Sequence, residues 1–203
     1  MPRWIFVRHG ESEANAGRVL SGWNDVALTP LGRSQARRAG RLLAEQLTEV
    51  PRVVSSDLQR AHHTAQLAMA AWSTETGQPA PPIVLTPGLR ERSMGVLQGE
   101  SVLACRQDGR MRALLGWESR PQGGESLAQL AARCIDAVDA IDAPGEVVVF
   151  AHGGVIRALS GMLDRKTTEQ IASRRIKNAK PMIRLVSPGI WATLRERYVL
   201  PGG

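Results

Sequence analysis

The sequence has only two cysteines, Cys105 and Cys134, among 203 residues. They fit no CxxC or zinc spacing and are too sparse for a disulfide framework, which points to a cytoplasmic setting. No apolar run approaches the ~20 residues needed to cross a bilayer. The chain enters an apolar strand without a charged region, an apolar h-region and a cleavage site, so no signal peptide is read. Lysine is scarce as well: Lys166, Lys177 and Lys180 are the only three among 26 basic residues. HExxH, an Asp-x-Asp pair and a carboxylate cluster are all missing, and adjacent His62 and His63 point to different sides of a helix, so no metal is expected. The GxxxxGK[ST] loop, GxGxxG and the GxSxG elbow are also missing, and no cofactor is expected.

What is present describes an ordinary folded chain. A hydrophobic fraction of 43% and a charged fraction of 22% are typical of globular proteins. Residues 1–203 fit one domain large enough for a full core. A net charge of +7 and a sequence pI of about 10.6 would suit nucleic acid. The excess is almost all arginine, however, and arginine equally suits bidentate recognition of a phosphate or carboxylate. The stretch 165–184 holds seven basic residues and one acidic residue. It is read as a solvated helix leading into a strand, so neither nucleic acid nor membrane is expected as a partner.

Short branched runs at Trp4–Val7, Arg52–Ser55, Ile83–Thr86 and Glu146–Phe150 read as buried strands. Between them lie helical patterns. Thr29-Pro30 supplies a cap and a first-position proline for a helix with Ala36, Ala39, Leu43 and Leu47 on one stripe. Asp57 is placed to cap a second helix through Arg60, Ala61, Ala65, Leu67 and Ala68. Ser126 and Gln129 form a capping box for a third, through Leu130, Cys134, Ala137 and Val138. A fourth runs from Val155 to Leu163. Residues 181–187 and 190–198, around Pro188-Gly189, read as a late strand pair with one strand antiparallel at the edge. The alternation predicts an α/β fold with a mostly parallel sheet covered on both faces. Residues 101–124, glycine-bearing and poor in strand signal, read as an insertion or lid.

Ligands of open α/β sheets collect beyond the carboxyl ends of the strands. Those ends carry Arg8-His9-Gly10, "SSDLQRAHHTA" with Arg60 in a first helical turn, "GLRERSMGVLQG" with Glu91, and Ala151-His152-Gly153-Gly154. Taken singly, each has an ordinary reading. Arg8 suits a solvated loop, His152 a turn cap, Arg60 a pair along its own helix, and Glu91 a surface ion pair with Arg90 and Arg92. Converging at one edge, they make an anion site. Phosphoryl transfer needs charge neutralised over three oxygens, which Arg8, Arg60 and His152 can supply. A neutral imidazole can attack phosphorus, and neighbouring guanidinium charges keep it uncharged. Glu91 can protonate the leaving oxygen and then activate water. Gly10 and Gly153 would let backbone N–H groups approach the oxygens.

At these residues the sequence resembles the histidine phosphatase superfamily, the phosphoglycerate mutase-like family. "VRHGES", "SSDLQRAHHTA", "LRERSMGVLQGE", "GGES" and "FAHGGVIRAL" occur in the family's order across nearly the whole chain. The resemblance implies a three-layer αβα fold acting without a metal on a small phosphorylated substrate. It implies His9 as the phosphorylated nucleophile, Arg8, Arg60 and His152 as the phosphate pocket, Asn15 as a further phosphate ligand and Glu91 as the proton donor. Residues matching Ser21 and Gly22 touch substrate in mutase relatives, and dimers are common, so a homodimer is compatible. Mutases of the family carry an asparagine after the second His-Gly and an aromatic residue shortly after the acid, where this chain has Gly154 and Met94. They also have a longer basic insertion. These departures favour a phosphomonoester hydrolase over a 2,3-bisphosphoglycerate-dependent phosphoglycerate mutase. A non-catalytic phospho-ligand binder is the alternative of another class, and it would need no complete catalytic set.

Overall fold

Strand β1 (Arg3–Arg8) sends Trp4 and Phe6 to one face and Ile5 and Val7 to the other, and all four are buried. The two-residue period of a strand demands two covering layers when both faces are apolar. β4 (Glu146–Ala151) repeats the pattern, with Val147, Val149 and Ala151 on the first face and Val148 and Phe150 on the second. A computed structural model describes residues 2–141 and 145–199. In it, β2 (Arg52–Ser55), β3 (Ile83–Leu85) and β5 (Met182–Leu185) complete a five-stranded sheet in the order β3-β2-β4-β1-β5. All neighbours are parallel except β5, which runs antiparallel to β1 at the edge. The expected α/β sheet with one antiparallel edge strand is thus what forms.

Helices α2 (Pro30–Gln46) and α3 (Gln59–Thr76) cover one face. The other carries α5 (Leu127–Asp139), α6 (Gly153–Leu163) and α8 (Ile190–Tyr198). Three short helices, α1 (Glu13–Ala16), α4 (Val102–Gln107) and α7 (Thr168–Ser173), lie in the connections. The start signals act as read for α2, where Thr29 Oγ1 accepts from the Gly32 N–H at 3.0 Å. They do so again for α5, where Ser126 and Gln129 form a reciprocal box. Among the described residues, no helix is long and apolar enough to cross a membrane.

Three expectations fail. β3 is not a buried strand: it lies at the sheet edge with Val84 and Leu85 exposed. Asp57 does not cap α3: the N-cap is Leu58, without a side-chain bond, and Asp57 instead pairs with Arg90 at 2.5 Å. The tail after β5 is not a second strand but α8. Its Trp191, Leu194 and Tyr198 recur at helical spacing and are buried in the core shared with α5 and α6. Trp191 packs edge-on against Trp4, with centroids 5.4 Å apart.

The face formed by α2 and α3 is built from small residues. Ala36, Ala39 and Gly40 of α2 and Ala61, Ala65 and Ala68 of α3 are all buried. A Cβ on Gly40 would stand 2.0 Å from the Ala68 carbonyl oxygen, a backbone atom that cannot swing away. Gly40→Ala therefore sets a helix-propensity gain of ~1 kcal/mol against an overpacking cost at the upper end of ~1–3 kcal/mol. We expect net destabilisation of about 1–2 kcal/mol, read from urea unfolding at constant m-value. A neutral or stabilising result would refute the close approach.

Candidate active site

The parallel register sets Arg8 of β1 opposite Ala151 of β4, and the His9 N–H donates to the Ala151 carbonyl at 2.9 Å. The next residue on each strand is a histidine, so the register itself brings His9 and His152 together, with ring centroids 5.3 Å apart. On the far side of β4, β2 runs into Ser56, whose N–H donates to the Phe150 carbonyl at 2.9 Å. α3 follows at once and brings Arg60, which is fully buried. α6 begins at Gly153, directly after His152, so its N-terminal end opens at the same place.

A backbone hydrogen bond assigns the His9 tautomer. Nδ1 of His9 lies 2.7 Å from the Gly10 carbonyl oxygen. A carbonyl only accepts, so Nδ1 carries the proton and Nε2 holds the free lone pair. Nε2 of His152 lies 2.9 Å from Ser56 Oγ, which already accepts from the Leu58 N–H at 3.3 Å. Ser56 Oγ can give its proton to Nε2 or accept one from it, and Nδ1 of His152 is buried without a protein partner.

The arginines are partly spent on backbone. Arg60 donates to the carbonyls of Asn24 at 3.0 Å and Gly22 at 2.7 Å, and Arg8 to that of Ile176 at 2.7 Å. Their Nε groups are buried and have no protein acceptor among the described residues. Two guanidinium N–H donors, on Arg8 and Arg60, and the unpaired Nδ1 of His152 thus stand beside a histidine lone pair. Burying them unmatched costs stability, and an oxyanion would satisfy all three with the His152 proton on Nδ1.

Glu91 is held over this cluster from several directions. Its carboxylate accepts from the Gly154 N–H at the start of α6, at 3.1 Å to each oxygen, and from the Arg92 N–H at 2.8 Å. Its backbone carbonyl accepts from Trp23 Nε1 at 2.6 Å and Arg133 Nη2 at 3.3 Å. The surface ion pair of Glu91 with its neighbours does not form. Arg90 pairs with Asp57, and Arg92 is buried, donating to the carbonyls of Glu125, Leu114, Ala113 and Ser119. Burial pushes the Arg92 pKa down to about 10, and Arg157 adds to the effect.

Both histidines are held well below the usual imidazole pKa. The larger cause is burial. The guanidinium charges of Arg8 and Arg60, expected from the sequence to act this way, add to it. Burial also lowers Arg8 and Arg60, against the pull of Glu91.

The structure therefore gathers His9, Arg8, Arg60, His152 and Glu91. Gly153 lines the same cleft, where an added Cβ would sit 3.6 Å from Arg8 Nε. Asn15 accepts on Oδ1 from the Ser12 N–H at 3.3 Å and from Asn178 Nδ2 at 3.3 Å. Gly22 is placed chiefly as an acceptor for Arg60, and Ser21 lies beside it, partly buried. The reading of Gly10 is corrected. Its N–H is taken by Thr64 Oγ1 at 3.0 Å, and its missing Cβ makes room for the Gly32 carbonyl oxygen, which would lie 2.3 Å away. Sequence reasoning missed Ser56, Trp23, Arg133 and Thr64. Ser56 and Thr64 lie inside the quoted "SSDLQRAHHTA", and Arg133 is 42 residues from the carbonyl it holds.

The family model of the histidine phosphatase superfamily (branch 1) matches residues 4–195. A 2,3-bisphosphoglycerate-dependent phosphoglycerate mutase of Methylorubrum extorquens (strain PA1) is 37% identical over 188 residues, covering 88% of this chain and 87% of the relative. Among solved structures, the mycobacterial glucosyl-3-phosphoglycerate phosphatase complexed with VO3 has a TM-score of 0.77 and 30% identity, over 90% of this chain and 92% of that one. Bacillus stearothermophilus YhfR has a TM-score of 0.80 and 25% identity, over 93% of each chain.

Two histidines buried as neutral rings tie stability to pH. Their folded pKa values lie below the unfolded value, so between the two the unfolded chain binds more protons. Stability is then full above pH ~6.5 and falls as pH drops below it, by up to ~1.4 kcal/mol per unit for each ring. Urea unfolding at pH 7.5 and pH 5.5 reads this. We expect the loss to shrink in His152→Asn, and equal pH dependence in the two proteins would contradict the buried neutral state.

Proposed function

The chain belongs to the histidine phosphatase superfamily, branch 1, and we propose that within it the chain is a phosphomonoester hydrolase working through a phosphohistidine. One observation carries this reading. His9 Nε2 is left unprotonated by the Gly10 bond, next to buried Nε donors on Arg8 and Arg60 and a buried Nδ1 on His152 that the protein leaves unmatched. A substrate phosphoryl group accepts from these donors. His9 Nε2 attacks phosphorus, the bond from phosphorus to the ester oxygen breaks, and Glu91 gives its proton to the departing oxygen. The carboxylate so formed takes a proton from water, whose oxygen attacks the phosphohistidine. The P–N bond breaks, inorganic phosphate leaves, and neutral His9 and protonated Glu91 are restored. The guanidinium groups stabilise charge on the transferring oxygens in place.

The glycine at 154 bears on the choice of branch. A Cβ there would come 2.1 Å from Glu91 Oε1, so a side chain at this position would push the carboxyl off the start of α6. Glycine lets Glu91 rest on that helix end, beside where water must be activated. The mycobacterial phosphatase of similar fold supports the hydrolase reading. The second reading, a 2,3-bisphosphoglycerate-dependent mutase, is favoured by the name of the 37%-identical relative. We assign residues 101–124 a lid role in either case, with Arg92 as the tether joining that segment to the acid.

Two measurements test the proposal. Phosphate release from an alkyl phosphate should vanish in His9→Ala, and brief exposure of the native protein to labelled substrate should leave an acid-labile, alkali-stable label. Glu91→Gln should lower the single-turnover rate of His9 phosphorylation by ~10²–10⁴-fold for the alkyl ester and far less for p-nitrophenyl phosphate, whose leaving group needs no proton. Isomerisation of a phosphoglycerate primed with 2,3-bisphosphoglycerate, seen by ³¹P NMR without phosphate release, would establish the mutase instead.

A further inference from the structure

Ser56 and His152 are both fully buried, and neighbouring strands bring them together. Ser56 directly follows β2, and its N–H is held by the Phe150 carbonyl of β4, two residues before His152. His152 is held well below the usual imidazole pKa, chiefly by burial, so its ring carries one proton near neutral pH. The hydrogen bonds of Ser56 decide between the two ring nitrogens.

Oγ of Ser56 has two partners among the described residues, the Leu58 N–H at 3.3 Å and Nε2 of His152 at 2.9 Å. The Leu58 N–H is a donor and cannot take the hydroxyl proton. If Nε2 carries the ring proton, Oγ accepts from both partners. Its own O–H then has no acceptor among the described residues, and Nδ1 is an acceptor without a donor. Two buried groups are left unmatched. If the hydroxyl donates to Nε2 instead, its O–H is satisfied and only the Nδ1 N–H is unmatched. Each unmatched buried polar group costs stability, so the second arrangement wins. The group it leaves over is a donor, which an oxyanion beside Arg8 and Arg60 requires; a lone pair there would repel it.

We infer that Ser56 is a positioning residue: its hydroxyl donates to Nε2 of His152 and so holds the ring proton on Nδ1, where it serves the transferring phosphoryl group. The Leu58 N–H assists by occupying a lone pair of Oγ. The catalytic consequence rests on the phosphomonoester reading, whereas the tautomer is a property of the unliganded protein.

Two-dimensional ¹H–¹⁵N NMR of the imidazole rings at neutral pH reads the tautomer, with the His152 signals assigned by their loss in His152→Asn. We expect the proton on Nδ1 in the native protein and a large share of it on Nε2 in Ser56→Ala. The single-turnover rate of His9 phosphorylation should fall about ten-fold or more in Ser56→Ala, the size of one hydrogen bond to a charged group. The loss should agree within about three-fold for an alkyl ester and p-nitrophenyl phosphate, because the Nδ1 donor acts on oxygens that stay with phosphorus. That separates Ser56→Ala from Glu91→Gln, whose effect follows the leaving group. A native ring protonated on Nε2, an unchanged tautomer or rate in Ser56→Ala, or a loss confined to the alkyl ester would overturn the assignment. If Ser56→Ala does not fold, the native spectrum decides: a proton on Nδ1 upholds the inference and one on Nε2 sinks it. If no ester turns over, the hydrolase reading fails, and the two spectra still decide whether Ser56 sets the tautomer.

Discussion

The site depends on one electrostatic constraint: more positive than negative charge is drawn out of water. Arg8, Arg60 and Arg157 are desolvated, and the carboxylate that acts on all three is Glu91. Desolvating a guanidinium costs several kcal/mol unless its donors are met. The chain meets many of them with backbone carbonyls: four at Arg92, three at Arg133, two at Arg60 and one at Arg8. Each guanidinium thereby fixes the course of a loop. The turns at 22–24 and 88–91 and the approach of 113–125 toward Glu91 all follow from where a fork needs acceptors. Lysine, a point charge on a flexible stem, could not gather carbonyls in this way. At these positions the preference for arginine over lysine is therefore chemical as well as compositional.

The unmet part of this demand is what an oxyanion would supply. An anion that binds only the folded chain stabilises it by mass action, so occupancy and stability are coupled through Arg8, Arg60 and His152. Helix α6 joins several tasks along one axis. His152 is its N-cap, Gly154 holds the acid with its N–H, and Arg157 stands one turn further on. A residue that disturbs the first turn of this helix would shift chemistry and recognition together.

Much of this was legible in the residues, and the rest was hidden for identifiable reasons. Strand ends could be found because branched apolar runs stop sharply at Arg8, Ser55 and Ala151, and a parallel sheet directs such ends to one edge. The tail from Ile190 to Tyr198 misled because its isoleucine, tryptophan and tyrosine suit a strand as well as a helix. Only the core formed with α5 and α6 selects the helical spacing of Trp191, Leu194 and Tyr198. Asp57 resembles a cap locally, but Arg90, 33 residues on, claims its carboxylate. Gly10 suggests an anion-facing amide, whereas its need for glycine comes from Gly32 of α2. Each miss is a long-range contact overriding a sound local signal.

The strand order has a consequence for how the chain is made. β1 lies between β4 and β5, so both of its hydrogen-bonding neighbours begin at or after residue 146. During synthesis from the N-terminus, the strand carrying Trp4, Ile5, Phe6 and Val7 emerges before both partners and then waits. At ~5–20 residues per second the interval is on the order of ten seconds. Throughout it, a strand with an apolar centre has two open edges and neither native mate, a template for pairing with other nascent chains. The arrangement that sets His9 against His152 is thus also the one that most exposes the growing chain to misassembly.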